Sequence, residues 1–152
     1  MMKIEIITPP LSSDYWQLLL EADPNQKLIE SYLGQATFFQ GTVDGHVVAV
    51  LALVAKTPKV VEIMNLCVDE NYREQHFAQQ MLKEAINWSK ARHFQQIEIA
   101  TGSTGLLQLY LYQKLGFRMW KIVPDYFLTH YPEQIIENGL VLKDQVGLRL
   151  TF

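Results

Sequence analysis

Asp44-Gly45 sits between two β-rich runs, residues 36–43 and His46–Ala55, and no other feature of the chain narrows its fold so far. The dipeptide suits the φ > 0 positions of a tight hairpin turn. Thr57-Pro58-Lys59 supplies a second turn, and Val60–Val68 is a third β-rich run. Residues 36–68 therefore read as an antiparallel meander.

Helices are expected on either side of it. Residues 14–21 read as helical with Ser12 or Ser13 as N-cap, and residues 27–33 as a second short helix stopped by Gly34. Residues 77–92 form the clearest helix: Phe77, Met81, Leu82, Ala85, Ile86 and Ser89 fall on one face, while Gln79, Lys83, Glu84 and Lys90 face away. Residues 3–8 and 95–100 read as strands. Residues 105–115 read as a helix capped by Ser103 or Thr104 and stopped by Gly116. A strand at 117–123, an aromatic-rich connection at 124–139 and a closing strand at 146–152 complete the order. A meander followed by a βαβ-like unit predicts an α/β fold of the α+β kind, a mixed sheet flanked by helices.

The 152 residues fit a single domain spanning the whole chain. Thirteen Lys and Arg face sixteen Asp and Glu, a formal charge of −3, which disfavours a nucleic-acid partner because phosphates need a basic face. The longest apolar-rich run, His46–Ala55, is far short of the roughly 20 residues that span a bilayer, so no membrane partner is expected. The one cysteine, Cys67, makes no internal disulfide and no zinc cluster. With no signal-peptide pattern at the start, these features predict a cytoplasmic protein without a metal.

Chemistry concentrates where the third run of the meander meets the long helix. A strand, a short turn and a helix N-terminus follow in succession, and a helix N-terminus presents unpaired N–H groups and the positive end of its dipole, which suits phosphate. Arg73 adds a formal charge there. From the local residues alone an ordinary strand–helix connection is the better reading, because every helix has such an N-terminus.

Two motifs carry a resemblance. Val68-Asp-Glu-Asn-Tyr-Arg73-Glu-Gln-His76-Phe-Ala78 resembles the GNAT superfamily of acetyl-CoA-dependent N-acetyltransferases, which carries Val, four residues, then Arg or Gln-x-x-Gly-x-Gly or Ala. His76 stands where the first glycine would be. Leu111-Tyr112-Gln113-Lys114-Leu115-Gly116-Phe117 matches the family's Leu-Tyr-x-Lys-x-Gly-Phe almost position for position. The resemblance implies a mostly antiparallel central sheet with a splayed parallel strand pair. It also implies acetyl-CoA as acetyl donor, with CoA as product. The turn residues Arg73, Glu74, Gln75, His76, Phe77, Ala78 and Gln79 would cradle its pyrophosphate, Leu66, Cys67 and Val68 would pair with its pantetheine arm, and Thr104 and Lys114 would complete the site. For His76 two readings stand: a phosphate contact, or a side chain facing solvent.

In this family Tyr112 would protonate the departing CoA sulfur. By helical spacing it lies with Gln108 and Gly105, beside an apolar stripe of Leu107, Leu111 and Leu115; the alternative is a core-edge tyrosine. Glu62, six residues before Val68, would be the general base, directly or through water, or else a glutamate on the wet side of the meander. A backbone N–H near Val68 would serve the oxyanion. Cys67 lacks a His/Asn arrangement and reads as packing. Tyr126, Phe127, His130 and Tyr131 would wall an acceptor pocket that Glu133, Glu137 and Asp144 bias towards an amine; they equally suit a core or a homodimer contact. The expected activity is direct acetyl transfer to a primary amine on a small molecule or peptide. The competing readings are a CoA-binding sensor or interaction module without catalysis, and a structural domain that binds no CoA.

Overall fold

A computed structural model describes residues 1–152. It resolves into two compact units, residues 1–95 and 96–152.

In the first unit β1 (Lys3–Ile7), β2 (Thr37–Val43), β3 (His46–Ala55) and β4 (Val60–Val68) form consecutive antiparallel neighbours. The β2–β3 hairpin turns through Asp44 at φ 51° and Gly45 at φ 80°, the pair of positive values its sequence demands. Each face of this sheet has its own helices. Phe38 packs with α1 (Ser13–Ala22) and α2 (Gln26–Tyr32), where Tyr15, Leu18, Leu19, Ile29 and Tyr32 are buried. Phe39, one residue on, points the other way and meets Trp88 of α3 (Phe77–Ala91) edge-on at 6.0 Å. Burying one such ring is worth roughly 1.5–3 kcal/mol. The buried residues of α3 are Phe77, Met81, Leu82, Ala85, Ile86 and Ser89, the face expected from their spacing.

Ser12 caps α1, its Oγ accepting from the Tyr15 N–H, and Asn25 caps α2 in the same way. Gly34 follows α2 without a left-handed φ; that helix ends with the N–H groups of Gln35 and Ala36 both donating to Tyr32 O.

One register shift matters for function. Ala52 pairs with Asn65 but Leu53 pairs with Ile63, so Met64 is an extra residue, a β-bulge. The bulge reverses the alternation along β4. Glu62 pairs with Val54, and Cys67 with Val50; Val54, Val50 and Cys67 all pack in the α1/α2 cluster. Glu62 and Cys67 thus share a face although they are an odd number of residues apart.

In the second unit β5 (Gln96–Gly102) and β6 (Arg118–Val123) flank β9 (Gln145–Thr151), all antiparallel. The connection expected at 124–139 contains α5 (Tyr126–His130) and β7 (Ile136–Glu137), which forms a hairpin with β8 (Leu140–Val141) just beyond it. Asn138 at φ 53° and Gly139 at φ 74° make the turn, so this Asn-Gly pair is a hairpin signal of the same kind as Asp44-Gly45.

Between β5 and β6 runs α4 (Leu106–Lys114), and it corrects two expectations. Its N-cap is Gly105, with no side-chain capping bond; Thr104 instead directs its Oγ1 to Glu137 Oε1 at 2.9 Å. Leu107 is not on the buried face: it is 74% exposed, and Tyr112 is the only buried residue of the helix. The sequence LLQLYLYQK is apolar around most of its circumference, so spacing alone does not choose a face.

Candidate functional site

β4 runs through its bulge into a single 3₁₀ turn, residues 70–72, held by Asp69, whose Oδ1 accepts from the Asn71 N–H at 2.9 Å. Four residues, 73–76, lead from it into α3. Its N-cap, His76, has φ 61° and ψ 21° and makes no side-chain capping bond. Glu74, two residues earlier, is also left-handed at φ 64°. His76 therefore takes the backbone conformation for which the family uses glycine, at a cost of roughly 1–2 kcal/mol for an L-residue. The imidazole is exposed, open to solvent and to a phosphate alike. The first N–H to bond back into the helix is that of Gln80, to His76 O at 3.0 Å. The amides of Phe77, Ala78 and Gln79 precede it, at the positive end of a 15-residue helix.

Arg73 does not project freely. Its Nε donates to Val68 O at 3.3 Å and its Nη2 to Glu21 Oε1 at 3.1 Å. The side chain thus braces the end of β4 against α1, and Glu21 offsets its charge.

Cys67 is buried, and burial together with the nearby Glu21 carboxylate pushes its thiol up to about 11. It stays protonated at neutral pH and is no nucleophile. Glu62 is partly exposed and lies 3.8 Å from Lys56 Nζ through its Oε1. Asn65 was not singled out in the sequence. Its amide Nδ2 donates to Leu19 O at 2.9 Å, a buried tie between β4 and α1 just past the bulge. An asparagine in a strand of apolar residues was the signal for it.

In the second unit, the end of α4 explains most of its motif. Gly116, at φ 101°, donates its N–H to Gln113 O, and Phe117 donates to Tyr112 O, both at 3.0 Å. Those two bonds define a Schellman stop, in which a left-handed C′ residue lets the chain turn back over the last helical turn. Its usual apolar contact is present as well: the Tyr112 and Phe117 rings lie 6.2 Å apart. Glycine and phenylalanine of the motif thus terminate the helix and fix the tyrosine ring. Tyr112 is 6% exposed, and desolvation raises its phenol well above the ordinary value. It holds its proton throughout the physiological range. Of the two residues expected to accompany it, Gly105 is buried and Gln108 exposed, and Gln108 Oε1 would stand 3.0 Å from a Cβ at Gly105.

The loop before α4 is tied to the β7–β8 hairpin. Besides the Thr104–Glu137 bond, Asn138 Nδ2 donates to Thr104 O at 2.7 Å. Thr104 is buried and Lys114 exposed. On α5 the aromatic residues do gather: Tyr126 lies 5.1 Å from Phe127 and 4.4 Å from His130, and Phe127 stacks on Tyr131 at 5.5 Å. Of the acidic residues expected to favour an amine, Glu137 accepts from Thr104 and Asp144 from the Asp125 N–H at 2.9 Å; Glu133 is exposed.

Comparison with known proteins gives these features a common frame. Residues 7–117 match the model of the acetyltransferase (GNAT) family. An uncharacterised N-acetyltransferase of Bacillus subtilis is 37% identical over 139 residues, covering 91% of this chain and 90% of that one. Among solved structures, an IAA acetyltransferase from Bacillus cereus superposes with a TM-score of 0.95 at 35% identity, covering 100% of both chains. A GNAT family acetyltransferase from Elizabethkingia anophelis, with acetyl-CoA bound, gives 0.94 at 32% identity, covering 99% of this chain and 98% of that one. The chain belongs to the acetyltransferase (GNAT) family. It has that family's mixed α/β fold, as expected from the sequence, and it is an acetyltransferase. No helix is long and apolar enough to cross a membrane.

Proposed function

We propose that residues 1–152 act as one N-acetyltransferase domain, moving an acetyl group from acetyl-CoA directly to a primary amine. The observation that carries this reading is the likeness, over nearly the whole chain, to a relative with acetyl-CoA bound. The residues fit such a donor: an uncapped helix N-terminus follows a turn of two left-handed residues, a combination that aims backbone amides at an anion. Residues 73–79 hold the pyrophosphate through those amides, with the Arg73 side chain bracing the turn. Leu66, Cys67 and Val68 offer backbone groups to the pantetheine arm; in the second unit, Thr104 and Lys114 are the residues that the family resemblance assigns to the donor.

Glu62 takes the proton of the acceptor ammonium, directly or through water. Lys56 Nζ lies 3.8 Å from Glu62 Oε1. A backbone N–H near Val68 stabilises the oxyanion as the amine nitrogen bonds to the acetyl carbon. When the carbon–sulfur bond breaks, Tyr112 gives its proton to the sulfur; the second proton of the attacking nitrogen leaves to solvent, which returns one to the phenol. Burial keeps the phenol protonated at neutral pH, and the charge that develops on the sulfur as the bond breaks draws the proton to it. Tyr126, Phe127, His130 and Tyr131 form the acceptor wall, for a small molecule or a peptide amine, in a cytoplasmic setting that keeps Cys67 reduced.

Acetyl-CoA binding tests the reading first. Ligand at a hundredfold excess over Kd stabilises the fold by about 2.7 kcal/mol, so the melting temperature rises with added acetyl-CoA. Turnover follows, as free CoA released with a panel of primary amines. No melting shift at millimolar acetyl-CoA refutes the proposal.

A further inference from the structure

β6 is the last strand of its sheet, paired with β9 alone. Its outer edge offers unpaired N–H and C=O groups, and its two faces differ sharply in chemistry. Arg118 lies directly across from Arg149. Lys121 is across from Gly147, and Trp120 is the extra residue of a bulge between Met119 and Lys121. On this face the Arg149 guanidinium sits 4.6 Å over the Trp120 ring and Lys121 Nζ 4.9 Å from it. Gly147 leaves room for the arrangement, because a Cβ there would stand 2.9 Å from Lys121 Cγ and 3.4 Å from Trp120 Nε1. Arg118, Lys121 and Arg149 are exposed, and Trp120 is 40% exposed. Like charges opposite one another destabilise a sheet, and the row that joins Glu98, Arg149 and Arg118 keeps a surplus of positive charge in a chain whose net charge is −3.

The other face is apolar. Met119 and Ile122 pair with Leu148 and Val146, which are buried. Yet Met119 is 50% and Ile122 66% exposed. A segment complementary to this edge must therefore be extended, acidic at every second position and apolar at the positions between.

We propose that the β6 edge docks an acidic, alternating peptide strand of a partner protein, which adds itself to the sheet beside β6. Backbone bonds to the edge supply affinity. Carboxylates over Arg118, Lys121 and Arg149 supply selectivity, and apolar side chains cover Met119 and Ile122. A second copy of this chain is a poor occupant, because a two-fold pairing of β6 with itself sets the same cations against each other. Nucleic acid is disfavoured by the acidic net charge and by the apolar face.

The probe is a synthetic peptide of alternating Glu and Val, acetylated at its N-terminus so that it presents no amine. Calorimetry on the full chain at low salt should detect binding below about 1 mM, weakened about tenfold by Arg149→Gln and by Lys121→Gln and lost to the Lys–Val peptide. Trp120→Ala should weaken it comparably. Melting temperatures of the variants, measured in parallel, confirm that each is folded, and the exposed Lys121→Gln serves if Trp120→Ala is not. The proposal is overturned by any of three results: no binding of the Glu–Val peptide, in which case the cations and the bulge only guard the edge against aggregation; equal affinity for the wild type and the charge variants; or tighter binding of a single-stranded oligonucleotide of matched charge.

Discussion

The start of α3 and the end of α4 use the same backbone geometry by different means. At the end of α4 a left-handed residue is needed, and the chain supplies Gly116 at φ 101°, where an L-residue would be strained. At the start of α3 two left-handed residues are needed, and the chain supplies Glu74 and His76 at 64° and 61°. One turn follows its family motif and the other departs from it, yet both reach the conformation the motif encodes. The glycine of such a motif is a preference of roughly 1–2 kcal/mol per position, not a geometric necessity. Surrounding structure can impose the same φ on another residue; here Arg73, next to Glu74 in the chain, is itself held by Val68 O and Glu21.

The sharpest test of the α4 end separates its chemistry from its architecture. Tyr112→Phe keeps the ring against Phe117 and both bonds of the Schellman stop, which are made by main-chain atoms. If the phenol delivers a proton in the transition state, kcat falls by roughly 10²–10⁴-fold, with acetyl-CoA affinity and melting temperature unchanged. Unchanged kcat removes Tyr112 from the general-acid role, and a joint loss of affinity and stability makes it a structural residue. Gly116→Ala attacks the architecture instead. A Cβ at φ 101° is strained, and one placed there meets Leu150 Cδ1 at 3.3 Å. Stability should fall by about 1–2 kcal/mol, read from denaturant midpoints. Turnover should fall with it, because the ring of Tyr112 is held by the stop that Gly116 makes.

How far these two sites could be read from the sequence follows from where their determinants lie. Local pattern fixes the Asp44-Gly45 hairpin, the bounds of β4 and the buried face of α3, because each depends on a period or a dipeptide within one element. The bulge at Met64 depends on how β4 pairs with β3, and no local signal announces it; without it, strand alternation puts Glu62 and Cys67 on opposite faces. The face of α4 was misread for a related reason. Leu106, Leu107 and Tyr110 are exposed although apolar, so burial there is decided by tertiary packing. The β7–β8 hairpin is a different matter. Asn138-Gly139 was as legible as Asp44-Gly45, but its strands are only two residues each, too short to read as strands amid the aromatic residues.

His76→Gly gives the smallest expected effect and bears most directly on the difference between the two turns. Two terms oppose each other. Glycine relieves the left-handed strain of His76, worth roughly 1–2 kcal/mol. It also enlarges the entropy of the unfolded chain, which costs roughly 0.4–1 kcal/mol. The N-cap position adds little, because the imidazole makes no capping bond and glycine is itself an acceptable N-cap. The net should be a gain of a few tenths to about 1 kcal/mol, resolvable as a higher denaturant midpoint at constant m-value. Acetyl-CoA affinity should hold or improve, since the amides of the turn keep their orientation and no Cβ remains to crowd a phosphate. A loss of stability would mean that the left-handed His76 carries no strain, so that the two turns differ in sequence but not in energy. A loss of affinity at unchanged stability would mean that the imidazole touches a phosphate, and the departure from the motif would then be a replacement of one donor by another.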